Sequence, residues 1–136
     1  MMYPPALLDT DILSELFKKN PTVLDRTSEY IGIHRHLNIS HITRYEILKG
    51  LKAKKADKQI TLFNKFCIAN IVLPITEDVI VKAADIYASL KEQGNLISDA
   101  DILVAAIAIV NNLILVTNNT NHFCRIKELK LDNWKI

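Results

Sequence analysis

A three-layer α/β/α sandwich around a mainly parallel sheet is the fold this sequence predicts, and three observations carry the prediction. Short apolar runs alternate with segments of helical spacing along the whole chain, the order that builds parallel sheets. The stretch "SDADILVAAIAIVNN" at 98–112 is apolar on every side, as a central helix packed on a sheet must be. Only 3 Gly and 4 Pro occur in 136 residues, with 49 % hydrophobic and 24 % charged, which argues against disorder or a β-sandwich with glycine-rich turns. A single domain over 1–136, able to bury roughly two thirds of its unfolded surface, is expected.

"ALLDT" at 6–10 reads as a first strand ending in Asp9 and Thr10. "DILSELFKK" then sets Ile12, Leu13, Leu16 and Phe17 at helical intervals, and a second helix covers 22–35. "LNISHIT" at 37–43 alternates Leu37, Ile39 and Ile42 with polar neighbours, the period of a strand. Tyr45, Ile47, Leu48 and Leu51 predict a helix over 44–55, and Ile60, Leu62, Phe63 and Phe66 another over 57–68. "NIVLPIT" at 70–76 is a buried strand stopped near Pro74, with Thr76 as N-cap of a helix that ends at Gly94. After the central helix, "LILVTNN" supplies a buried strand, a turn spans 122–126, and "LKLDNW" forms a last strand.

A formal charge of +2 neither requires nor excludes a polyanion partner. Cys67 and Cys124 show no metal-ligand or CxxC spacing and read as buried thiols in a reducing compartment, the cytoplasm. The opening "MMYPPALLDTD" has prolines where a signal peptide needs an unbroken apolar run, so no export is expected. The most apolar stretch, 102–116, is too short for a bilayer and is interrupted by Asn111 and Asn112, which leaves no membrane role.

The carboxyl ends of the strands in an open parallel sheet share one rim, where sites form. Asp9 ends the first strand, Glu46 lies one turn into the helix after the second, Asp101 opens the central helix, and Asn118 and Asn119 close the last long strand. Carboxylates converging from distant segments make hard oxygen ligands for Mg²⁺ or Mn²⁺ and imply metal-assisted hydrolysis of a phosphodiester. A structural role is open for each: "TRYE" at 43–46 and "SDAD" at 98–101 both match a capping box. Asp11 reads as cap of the first helix, Thr10 as a turn or cap hydroxyl with a supporting role, and Asp99 as a favourable charge in a first helical turn.

With "LLDTDIL" at 7–13, "ISHITRYEILKGL" at 39–51, "ISDADILVAAIAI" at 97–109 and "LILVTNNTNHF" at 113–123, the chain resembles PIN-domain ribonucleases of the VapC toxin type. The resemblance implies an acidic cluster binding Mg²⁺ or Mn²⁺, RNA as substrate, a cognate antitoxin and a homodimer. It maps Asp9, Glu46 and Asp101 onto the first three acids of that cluster. Many relatives carry a fourth acid in a "TxD" block where this chain has Thr117, Asn118 and Asn119; Asn119 supplies an amide oxygen but no charge, so one metal is expected. Cleavage at few sites, in an RNA such as a transfer RNA, is the further expectation.

"KGLKAKKADK" at 49–58 offers Lys49, Lys52, Lys54, Lys55 and Lys58 against Asp57 alone, a track for RNA or an ordinary solvated helix face. His122 reads as a surface turn residue near the rim. Apolar faces at Tyr30, Ile31 and Ile33, or at Phe63 and Phe66, are either core or docking surface. Two other readings stand beside the nuclease. An aspartyl phosphatase of haloacid-dehalogenase type accepts "DTD" but leaves Glu46 without a task. A catalytically weak PIN-like module that only holds RNA or a partner is the second.

Overall fold

Ala6, Leu7 and Leu8 form β1 (Ala6–Leu8), fully buried because strands lie on both sides and helices on both faces. The computed structural model describes residues 3–136; positions 1 and 2 of the expected domain lie outside the described residues. Beyond β1 come α1 (Thr10–Phe17), α2 (Pro21–His34), β2 (Asn38–Ser40), α3 (His41–Ala53), α4 (Asp57–Ala69) and β3 (Ile71–Leu73). The second half holds α5 (Glu77–Glu92), α6 (Asp99–Val110), β4 (Ile114–Val116), α7 (Thr120–Phe123) and β5 (Leu131–Asp132).

The five strands run in the order β3-β2-β1-β4-β5, and every neighbouring pair is parallel, Leu7 lying opposite Asn38 on one side and Leu115 on the other. Alternation along each strand divides the core into two layers. Leu7 and Leu115 join Val79, Ile86, Leu90, Val104 and Ile107 of α5 and α6. Leu8, Ile39 and Val116 join Ile12, Leu13, Val23, Tyr30 and Trp134 on the opposite face. Each large side chain so buried contributes roughly 1.5–3 kcal/mol. Strand order proceeds from β1 through β2 to β3 and then resumes on the far side of β1, so the topological switch point lies between β1 and β4.

Several boundaries differ from the sequence reading. The predicted strand at 37–43 stops at Ser40, because the Ser40 hydroxyl accepts from Thr43 N–H at 3.1 Å and starts α3 three residues earlier than its apolar spacing suggested. The first strand ends at Leu8, with Asp9 as the N-cap of α1. Thr76 and Ser98 cap α5 and α6 as expected, and Gly94 takes a positive φ of 69° just beyond α5. Cys67 is half-buried and Cys124 exposed, which corrects the expectation of two buried thiols. Tyr30 and Phe63 belong to the core, whereas Ile31 and Ile33 are exposed. No helix among the described residues is long and apolar enough to cross a membrane.

Asn20 caps α2 by accepting from the backbone N–H of Thr22 at 3.1 Å and of Val23 at 3.2 Å, with Pro21 as first helical residue. Asn20→Ala is expected to lower stability by about 1 kcal/mol. A denaturant titration should show a lower midpoint at unchanged slope.

Candidate functional site

Asp9 leaves β1 with extended backbone and turns its carboxylate inward, where Oδ1 accepts from the Thr10 N–H at 2.9 Å and Oδ2 from the Thr117 hydroxyl at 2.9 Å. Only 8 % of the residue is exposed. Burial pushes its carboxyl up to about 7 from an ordinary 3.8, and the neighbouring charge of Asp11 adds to this, with a smaller push from Asp101. The two hydrogen bonds pull the other way, and no cationic side chain ranks among the main influences.

Asp11 does not cap α1; that position belongs to Asp9, and Asp11 sits in the first turn. Its Oδ2 accepts from the Asn118 backbone N–H at 2.9 Å and lies 3.5 Å from the Thr117 hydroxyl, tying α1 to the exit of β4. Its Oδ1 is sealed from solvent with no hydrogen-bond partner among the described residues, and burial raises its carboxyl above the ordinary value. Thr117 is fully buried and joins the group: it donates to Asp9 and accepts from the Asn119 N–H at 3.0 Å.

Glu46 reaches the same end of the sheet by a different route. Ser40, not Thr43, caps α3, so Glu46 lies in the second turn rather than at the third helical position, and the capping-box reading fails for it. The Thr10 hydroxyl lies 2.6 Å from Glu46 Oε1 and 2.9 Å from the buried Thr43 hydroxyl. With one proton to give, Thr10 donates to the carboxylate and accepts from Thr43. The residue after Asp9 therefore holds Glu46 beside it.

Asp101, in the first turn of α6, receives the other half of its capping box: its N–H donates to the Ser98 hydroxyl at 3.2 Å. Its carboxylate stays partly open and lies 3.7 Å from His122 Nδ1. Asn119 meets the same imidazole nitrogen, its amide nitrogen 2.9 Å from His122 Nδ1. The sequence reading left His122 as a turn residue; its spacing three residues after Asn119, within one helical turn, was the available signal. Asn118 is exposed and accepts from the Asn133 amide at 3.0 Å. Asp99 is exposed, away from these contacts. Lys49, Lys52, Lys54 and Lys55 are exposed along and beyond the C-terminal half of α3.

Asp9 and Glu46 are thus joined through Thr10, and Asp9 is joined through Thr117 to Asn119 and His122, whose Nδ1 lies 3.7 Å from the Asp101 carboxylate across the switch point. Among the described residues, no three acidic or imidazole side chains already stand around one point at metal-ligand spacing. The donor set fits a hard divalent cation nonetheless: carboxylate oxygens dominate, and Asp9 carries unbalanced negative neighbours.

Thr117→Val keeps the side-chain shape but strands the Asn119 N–H and removes a hydrogen bond from Asp9. A loss of about 1–3 kcal/mol is expected in thermal or chemical denaturation, with Thr117→Ser recovering most of it.

The fold and its crevice define the class: an open, parallel α/β domain with acidic groups gathered where the strand order reverses. The PIN domain family model matches residues 6–129, and the chain belongs to that family. It is similar to "Ribonuclease VapC1" of Methanocaldococcus jannaschii, 37 % identical over 125 residues that make up 92 % of this chain and 83 % of that protein. Among solved structures it resembles VapBC2 of Rickettsia felis bound to a DNA fragment from their promoter, at TM-score 0.84 and 26 % identity, covering 96 % of this chain and 99 % of that one. VapBC-1 of nontypeable Haemophilus influenzae superposes at TM-score 0.82 and 27 % identity, covering 98 % and 100 %. Membership of the PIN family sets aside the aspartyl phosphatase reading.

Proposed function

We propose that this chain is the ribonuclease toxin of a toxin–antitoxin pair, hydrolysing RNA phosphodiester bonds with Mg²⁺ or Mn²⁺ at the crevice between β1 and β4. The observation that carries the reading is Asp9: a buried carboxyl at the switch point, pushed up to about 7 by burial and acidic neighbours. Asp9 also caps α1 and accepts from Thr117, yet no cationic side chain ranks among the main influences on it, which leaves its charge for a cation to balance.

Asp9, Glu46 and Asp101 are the residues that would hold the cation. When bound, it would supply a bound water of lowered pKa and stabilise the charge that builds on the attacked phosphate. The chain's own work is to hold the carboxylates in place. Thr117 and the Thr10 N–H fix the two Asp9 oxygens, and the Thr10 hydroxyl fixes Glu46. Asn119 faces His122 and brings no charge, consistent with a single cation. Exposed lysines at the C-terminal end of α3 supply positive charge for the phosphate backbone. The names of the similar proteins, ribonuclease and VapBC, support RNA as substrate and an antitoxin as partner.

The protein, freed of its antitoxin, should cleave a structured RNA such as transfer RNA at few sites with Mn²⁺ and stop when EDTA is added. Mapping of the new 5′ ends would locate the bonds. RNA binding without any cleavage would favour a binding module instead.

A further inference from the structure

We propose that Tyr45, together with Lys49, forms a stacking platform for an unpaired base of the RNA beside the cleaved phosphodiester; this rests on the ribonuclease reading above. The inner side of α3 is committed to the fold, since Thr43 is buried and Ile47, Leu48 and Leu51 pack against the core. Its outer side presents His41, Tyr45, Lys49 and Lys52, spaced as one stripe on a helix. Tyr45 is 62 % exposed, and Lys49 Nζ lies 5.1 Å from its ring centroid. A phosphate-binding charge thus lies over one face of a largely exposed aromatic ring, and the two together are the combination by which proteins hold single strands.

The placement suits a base flanking the reaction. Tyr45 immediately precedes Glu46 in the same turn of α3, about 100° round the helix axis from it, and the Glu46 carboxylate is anchored to Thr10 next to Asp9. Lys49 and Lys52 follow about 6 and about 10.5 Å beyond Tyr45 along the helix axis, leading away from the acids. Among the described residues, neither lysine enters an ion pair within 4.0 Å, so both charges are free for phosphate. A protein partner would find a poor interface core here, because lysine is depleted in such cores, whereas a polyanion finds complementary charge. The same tyrosine–lysine spacing recurs in α5, where Lys91 Nζ lies 6.0 Å from the Tyr87 ring. Tyr87 sits about 15 Å along α5 from the end that meets the strand rim, and so provides an internal control.

The test uses fluorescein-labelled single-stranded RNA and the antitoxin-free protein, with Ca²⁺ replacing Mg²⁺ or Mn²⁺ to stall cleavage, read by anisotropy. Y45A should weaken binding about 5- to 100-fold, while Y45F and Y87A stay within about 2-fold. K49Q should lower the slope of log affinity against log salt by about 0.7. RNA carrying abasic linkers should no longer distinguish Y45A from the parent protein. Equal affinities of Y45A and parent for intact RNA would overturn the proposal, as would an equal loss on abasic RNA. A change in sedimentation with RNA affinity intact would overturn it too, by assigning the stripe to protein contact. A parent protein that neither binds nor cuts RNA would instead remove the ribonuclease reading itself. Melting temperatures close to the parent's would confirm that the variants fold, as expected at an exposed position.

Discussion

Asp9→Asn is expected to abolish RNA cleavage and, in metal-free buffer at pH 8, to make the protein more stable. Losing the carboxylate removes a principal ligand of the proposed cation, and a drop in kcat of about 10³-fold or more follows if the cation supplies both the water and the charge stabilisation. Stability moves the other way because the Asp9 carboxyl binds its proton more tightly in the folded chain, near 7, than at its ordinary 3.8. A group of this kind stabilises the fold fully only below the ordinary value, and its contribution is lost as pH rises from about 4 to about 7. A shift of this size corresponds to a penalty of the order of 4 kcal/mol above pH 7. Asparagine keeps an acceptor for the Thr10 N–H and carries no charge, and the Thr117 hydrogen bond it gives up, worth about 1 kcal/mol, is smaller than the charge penalty removed. Calorimetry with a chelator should therefore show Asp9→Asn melting at least about 5 °C above the parent at pH 8, with a smaller gain at pH 5. Adding Mn²⁺ at pH 8 should raise the melting temperature of the parent and leave the variant nearly unmoved.

Asp101→Asn carries the second large effect. Asp101 adds a small upward push on Asp9 from outside α1, and its carboxylate remains partly open. Its removal should cut activity by about 10²- to 10³-fold through weakened cation binding, so raising Mn²⁺ should recover part of the loss. The helix cap survives, since the backbone N–H of residue 101 still meets the Ser98 hydroxyl, and stability at pH 8 should rise slightly rather than fall. Glu46→Gln is expected to behave less severely, because its hydrogen bond from Thr10 persists with the amide oxygen as acceptor. Kinetics against Mn²⁺ concentration separate the two: a shift in half-saturating metal for Asp101→Asn exceeds that for Glu46→Gln.

The parts of the fold that sequence exposed are those with a strong period. Leu7 and Leu8, Leu115 and Val116, and the all-apolar α6 could only be buried strands and a central helix, and from them the parallel order and its acidic rim follow. The boundaries were harder because two signals competed at the same residues. Ile42 extends the alternation of Leu37 and Ile39, yet the Ser40 hydroxyl satisfies the first free N–H groups of a helix and wins. Asp9 and Asp11 likewise both suit a cap. The Thr117 hydroxyl and the Asn118 N–H, more than 100 residues away, decide which carboxylate takes which role, and no local pattern reports them. For His122 the spacing to Asn119 is a local signal, whereas its contact with Asp101, which arrives from another helix, is not legible in the sequence.

The account depends on Asp9, Glu46 and Asp101 serving one ion. Diffraction from crystals of the antitoxin-free protein soaked in Mn²⁺, collected near the manganese absorption edge, tests this most directly. A single anomalous peak within about 2.0–2.3 Å of an oxygen of Asp9 and of Asp101, with Glu46 in its coordination sphere directly or through water, is the predicted result. A peak elsewhere, or none at a Mn²⁺ concentration that supports cleavage, would contradict it.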